Sequence, residues 1–164
     1  MELSSTAEMV LRNLRKITRS IDIHSNRLKQ SHGMTGPQVY IMQEIAKSGS
    51  IQIGSLAQKV SLSHATVTGI LNRLEKQALI ARARDHHDKR RILVSLTGKG
   101  EEILRNSPPL LQEQFLSAFE KLAEWEQLQI LSSLQRVANL MDAEKLEAAP
   151  LLESGSIIPT DPAG

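Results

Sequence analysis

The chain has 164 residues, 40% apolar and 23% charged, enough for one domain with a real core; with only 2% aromatics, that core is built from Leu, Ile, Val, Ala and Met. It contains no cysteine, which excludes disulfides, thiolate metal sites and thiol redox switching. No apolar run reaches the length of a membrane span and the N-terminal MELSSTAEMVLRNLRK lacks a signal-peptide core, so a cytoplasmic protein without membrane attachment is expected. Net charge is +2, but residues 55–100 carry nine Lys and Arg against three Asp and Glu, and residues 101–164 four against eleven. A basic middle beside an acidic C-terminal third points to a polyanion-binding module joined to a part with another task.

The first helix is marked by Val10, Leu14, Ile17, Ile21, His24 and Leu28, whose alternating steps of four and three keep one face buried, with Arg12, Arg15, Arg19 and Lys29 opposite. His32-Gly33 stops it. Thr35-Gly36-Pro37-Gln38 starts the next: Thr35 caps, Gln38 reaches back, and Pro37 sits in the first turn, where its missing N–H costs nothing. That helix continues through Val39, Met42 and Ile45 or Ala46 to a stop near Ser48-Gly49-Ser50. Ile51-Gln52-Ile53 has room for a very short strand. Ser55 then caps a brief helix with Leu56, Ala57 and Val60, Ser61-Leu62-Ser63 forms a turn, and a further helix runs from His64 to about Gln77. Leu79 to Arg84 and Arg90 to Ser95 alternate with the period of strands, around the polar loop Asp85-His86-His87-Asp88-Lys89. Two helices across a short turn, followed by a β-hairpin, make a winged helix-turn-helix: a mainly α fold with a small β-wing.

Thr97 caps a helix through Ile103 and Leu104, which Ser107-Pro108-Pro109 breaks. Helical periodicity resumes at Leu111, Phe115, Ala118 or Phe119 and Leu122, and a last helix carries Trp125, Leu128, Leu131, Leu134, Ala138 and Met141. Leu110, Leu116, Ile130 and Leu140 fall off the main stripes, so these helices are apolar on more than one side. A second copy of the chain would cover them, with a self-contained bundle as the alternative. The expected organisation is an N-terminal dimerisation helix over 1–34, a DNA-binding domain over 35–100, C-terminal dimerisation helices over 101–142, and an extended or disordered tail over 143–164, where Pro150, Gly155, Pro159 and Pro162 interrupt regular structure.

The helix His64–Gln77 carries the chemistry. At 100° per residue Val67, Ile70, Leu71 and Leu74 form the core face; opposite lie Ala65, Gly69, Asn72 and Lys76, flanked by Thr66, Thr68 and Arg73. Gly69 costs about 1 kcal/mol in a helix interior relative to Ala. A small-residue groove among hydroxyls, an amide and cations suits close approach to the major groove, with Asn72 pairing to adenine, Thr methyls touching thymine and Arg taking phosphate or guanine. An ordinary solvent-exposed face is the competing account, and the basic hairpin of Arg82, Arg84, Lys89, Arg90 and Arg91 weighs against it. An arginine at the wing tip can enter a narrow A·T minor groove, and Asp88 could fix the Arg90 side chain by a charge-assisted bond.

Other constellations carry less. His86-His87 between Asp85 and Asp88 lacks a third ligand at metal spacing, so no metal is expected. His24 reads as a core histidine, with a sensing role as the alternative. No nucleophile triad, phosphate loop or carboxylate pair stands out; neither an enzyme nor a bound cofactor is expected.

The run SLAQKVSLSHATVTGILNRLEKQALIARARDHHDKRRILVSLTGKG resembles the MarR family of bacterial regulators, with its D-x-R wing signature as Asp88-Lys89-Arg90 and its L-T-x-x-G element as Leu96 to Gly100. The resemblance, covering roughly residues 5–142, implies a dimeric winged-helix repressor of double-stranded operator DNA whose terminal helices form the dimer interface. It also implies a small-molecule effector, whose identity no residue here specifies. By position it makes Ser63, Thr66, Thr68 and Arg73 recognition-helix contacts and Arg90 the minor-groove arginine with Asp88 as orienting partner; His64, Asn72, Lys76, Arg84, Lys89 and Arg91 complete the expected DNA-contacting set. Many members have Asp where Asn72 stands and Gly where Ala78 stands, which affects base preference and the left-handed helix stop. The segments ITRSIDIHS, TGPQ, WEQLQILSSLQRVANLMDAE and AAPLL are similar to the subgroup of repressors of ectoine and related compatible-solute genes. A dimeric protein-interaction module that keeps the fold without binding DNA is the alternative.

Overall fold

A computed structural model describes residues 5–154. They form α1 (Ser5–His32), α2 (Gly36–Ser48), β1 (Ser50–Gln52), α3 (Ile53–Val60), α4 (His64–Lys76), β2 (Ile80–Arg84), β3 (Ile92–Leu96), α5 (Gly98–Asn106), α6 (Leu111–Phe119) and α7 (Glu124–Leu140). The chain divides into two compact units, one of residues up to 108 together with the segment from 150, the other of residues 109–149. No helix among the described residues is long and apolar enough to cross a membrane.

In the first unit the core forms where α2, α3 and α4 bring their apolar stripes together. Met34, Val39, Ile41, Met42, Ile45, Leu56, Val60, Val67, Leu71 and Leu74 are essentially without solvent contact; Ile80 and Val94 of the sheet, and Leu79 just before β2, are buried with them. Each such side chain contributes roughly 1.5–3 kcal/mol relative to an exposed one. The reach-back at the start of α2 is present: the Thr35 N–H donates to Gln38 Oε1 at 2.8 Å. The Thr35 hydroxyl also donates to the same Gln38 oxygen, at 3.3 Å, so Thr35 and Gln38 close the start of α2 as a capping box.

The sheet has the order β1-β3-β2, antiparallel throughout, with Ile51 opposite Val94 and Arg82 opposite Val94 on the other side. α3 begins at Ile53, not after Ser55, with Gln52 as its N-cap. Pairing of Ile51 with Val94 holds the chain to the sheet as far as Gln52, and the helix starts with no intervening loop.

α1 is buried only toward its C-terminal end, at Ser25 and Leu28; Val10 and Ile17, which the periodicity placed on a buried face, are exposed. The expected tail is packed where it is described. Leu151 is buried, Ser154 N–H donates to Ser25 Oγ at 3.2 Å, and Gly36 N–H donates to Glu153 Oε1 at 3.2 Å. Gly36 opens α2, so this carboxylate sits on the positive end of that helix. Burial nevertheless raises the Glu153 pKa, against the lowering influence of the Gly36 bond and of Lys29. Gly155, Pro159 and Pro162 lie outside the described residues.

In the second unit α6 and α7 are separate helices whose N3 glutamates reach back to their own N-termini: Leu110 N–H donates to Glu113 and Ala123 N–H to Glu126, each at 2.9 Å. Neither helix buries a residue fully. Phe115, Leu116, Trp125, Leu128, Leu131, Leu134 and Leu140 stand exposed.

Candidate nucleic-acid interface

α4 is fixed at its N-terminus by Ser63, an extended residue whose Oγ accepts from the Thr66 N–H at 3.1 Å. The Thr66 hydroxyl lies 2.8 Å from the same Oγ, and Thr66 is only 8% exposed. Thr66 therefore turns in toward the cap and does not join the outward face expected for it: as N3 of α4 its hydroxyl is bonded to Ser63. The outward face otherwise follows the helical wheel. His64, Ala65, Asn72, Arg73 and Lys76 are exposed, Thr68 and Gly69 half-buried, and Val67, Ile70, Leu71 and Leu74 buried opposite. Thr68 Oγ1 lies 3.5 Å from His64 Nδ1.

The C-terminal end of α4 shows what the L-T-x-x-G element does. Ala78 adopts the left-handed conformation (φ 58°) despite its Cβ. Leu79 N–H then donates to Leu74 O and Ala78 N–H to Glu75 O, both at 2.9 Å, a paired closure that satisfies the last carbonyls. The start of α5 grips this stop: Thr97 N–H donates to Leu79 O at 3.0 Å, Thr97 Oγ1 to Ala78 O at 2.7 Å, and Lys99 Nζ to Gln77 O at 2.9 Å. Thr97 also caps α5 by accepting from Gly100 N–H at 3.1 Å. A Cβ at Gly100 would overlap the Leu79 carbonyl, so only glycine lets α5 approach this closely. The element ties the start of α5, directly after β3, to the end of α4.

A second tie was not legible in the pattern. Arg82, on β2, donates from Nη1 to Glu75 Oε2 at 2.9 Å and from Nη2 to Asn72 Oδ1 at 2.8 Å. The guanidinium thus spans two residues of α4, with its own side chain 23% exposed.

At the wing, Asp88 takes a different partner from the one expected. Its Oδ1 accepts from the backbone N–H of Arg90 at 3.0 Å, and its Oδ2 lies 3.2 Å from Arg91 Nε. The turn Asp88–Arg91, closed by Arg91 N–H to Asp88 O at 2.8 Å, brings the third residue back over the carboxylate and sends the second outward. Asp88 therefore shapes the backbone under Arg90 without touching its guanidinium, and Arg84, Lys89, Arg90 and Arg91 remain exposed. Such exposed cations are weakly held and available to an anion. His86 and His87 are exposed, and among the described residues no three His, Asp or Glu side chains gather as a metal site.

Residues 34–92 match the MarR family. The HTH-type transcriptional regulator FarR of Neisseria gonorrhoeae is 29% identical over 110 residues, 67% of this chain and 75% of that one. The uncharacterized HTH-type transcriptional regulator YcgE of Bacillus subtilis (strain 168) is 30% identical over 144 residues, 87% of this chain and 91% of that one. A mutant of MarR from E. coli complexed with operator DNA has the same fold, with a TM-score of 0.55 at 21% identity over 84% of this chain and 99% of that one. With this winged architecture and a relative matched over nearly its whole length, the chain belongs to the MarR family.

Proposed function

We propose that the protein is a sequence-specific transcriptional regulator, a repressor, that binds double-stranded operator DNA as a homodimer. The observation that carries this is the presentation, within one unit, of an exposed polar face on α4 and an exposed cationic hairpin locked to it through Arg82, Thr97 and Gly100. A helix of this kind reads major-groove base edges while an arginine-bearing wing takes the adjacent minor groove or backbone. Supporting it, the structural neighbour from E. coli is complexed with operator DNA. The dimer rests on the apolar side chains left exposed on α1, α6 and α7, of which Trp125 is 66% and Leu128 56% exposed. A second copy supplies a partner for them, and two recognition helices then sit about one DNA turn, roughly 34 Å, apart.

The test combines light scattering with mobility shift on pseudo-palindromic duplexes at several salt concentrations. A dimer whose affinity falls steeply with salt and differs between sequences is expected. A dimer with no affinity for any duplex would instead mark a protein-interaction module. The narrower reading, that the regulated genes make compatible solutes such as ectoine, rests on segment likeness alone; genome-wide mapping of bound sites tests it.

A further inference from the structure

We infer that Arg82 is a positioning residue that turns the Asn72 amide so that it presents only donors to DNA, making Asn72 a reader of guanine and not of adenine. The inference rests on the DNA-binding reading above and goes further, to one base of the site.

The orientation of an asparagine amide is commonly ambiguous, because oxygen and nitrogen look alike. Here chemistry removes the ambiguity. A guanidinium has five donors and no acceptor, so the atom 2.8 Å from Arg82 Nη2 must be the Asn72 oxygen. The same guanidinium is held from another side by Glu75 Oε2 at 2.9 Å, and Arg82 Nε is buried without a partner. Arg82 is therefore a rigid fork between two residues one turn apart on α4. With Oδ1 turned toward the wing, the two Nδ2 hydrogens remain for whatever meets the exposed face.

Adenine is ordinarily read by both ends of an asparagine: the oxygen accepts from N6 and the nitrogen donates to N7. Arg82 takes one of the two lone pairs of that oxygen and holds it toward the wing, so the half of the pairing that needs it facing the base is not presented. An outward NH2 group faces the N6 amino group of adenine, or the N4 amino group of cytosine, as donor against donor. Guanine offers two acceptors side by side, O6 and N7, which the two Nδ2 hydrogens can reach together; thymine offers only O4. The expected adenine contact thereby becomes a guanine contact, although nothing in the order of residues along α4 distinguishes the two.

The experiment is selection of full-length protein against a randomised duplex library, followed by sequencing. Asn72→Ala identifies the base position concerned, as the one in each half-site whose preference it abolishes. In the unmodified protein guanine should exceed adenine there by about tenfold, within the range for a good base contact. Arg82→Lys keeps the charge but replaces the fork with one compact ammonium, which goes to the Glu75 carboxylate and leaves the amide free to turn. Guanine and adenine should then be accepted about equally, or adenine should lead. Preferences at the other positions and the salt slope of bulk binding should stay unchanged, which loss of fold would not allow. If Arg82→Lys does not fold, Glu75→Gln, which loosens the fork from its other side, should show the same shift in smaller degree.

Adenine leading in the unmodified protein overturns the inference. So does a guanine preference that survives in the folded variant, or an Asn72→Ala protein with no altered position. Enrichment of no sequence at all would remove the DNA-binding reading itself, a result distinct from these.

Discussion

Replacing Gly100 with alanine should unfold the grip between α5 and the end of α4. The added Cβ meets the Leu79 carbonyl, a backbone group that cannot rotate away, so α5 must move. The bonds most exposed to that movement are Thr97 N–H to Leu79 O and Thr97 Oγ1 to Ala78 O, together worth about 2 kcal/mol at a typical 1 kcal/mol each. Overpacking adds roughly 1–3 kcal/mol. Alanine returns about 1 kcal/mol through its better helix propensity. The net loss is roughly 2–4 kcal/mol, which for a chain of this size lowers the melting temperature by about 5–15 °C. Thermal unfolding followed by circular dichroism reads this directly. Gly98→Ala is the control within the same helix: nothing lies within 4 Å of its notional Cβ, so it should be neutral or slightly stabilising. A Gly100→Ala protein melting within about 2 °C of the parent would refute the argument that close approach is why glycine stands there.

Ala78→Gly should stabilise the protein by about 1 kcal/mol, measurable in urea, because the left-handed conformation at φ 58° strains a residue with a Cβ. Glu153→Gln keeps an acceptor for Gly36 N–H and removes a charge whose burial is unfavourable. A carboxyl with a raised folded pKa costs stability above that pKa, and the cost disappears as pH falls and it protonates. The variant should therefore melt higher than the parent near pH 8, and the difference should shrink as pH is lowered through the raised pKa; a constant difference would refute the electrostatic account. Arg90→Ala should weaken binding to all duplexes, most where A·T flanks the site, and lower the salt slope by about one per subunit in titrations against potassium glutamate.

The elements were legible because they follow local rules. α4 runs His64–Lys76 within a residue of the expected span, since its cap, its four-residue core stripe and its polar face all lie in adjacent sequence. The Gln38 reach-back and the break at Ser107-Pro108-Pro109 are legible for the same reason. What could not be read were choices among partners. Asp88 could address either of two neighbouring arginines, and only the turn geometry decides for Arg91. Thr66 and Thr68 are equivalent in type, yet the N-cap draws the first inward. Arg82 meets Asn72 across ten residues and Glu153 meets Gly36 across 117, contacts with no periodic signature. The exposed ends of the α1 stripe, Val10 and Ile17, show the converse: periodicity announces an apolar face without saying what covers it.

β3 is the middle strand of its sheet, paired along Leu93–Ser95 with β1 and along its whole length with β2. Beyond Arg84 and Ile92 the hairpin is held by Asp85 N–H to Arg91 O at 2.9 Å and by Arg91 N–H to Asp88 O at 2.8 Å. Residues 86–90 lie outside the strand pairing, their turn shaped by Asp85 and Asp88, while the base of the wing is anchored through β3 to the strand that leads directly into α3. The shape of the hairpin tip is set by bonds among its own residues. A change of residues there leaves the register of the strands beneath, and so the spacing of the wing base, as the sheet sets it.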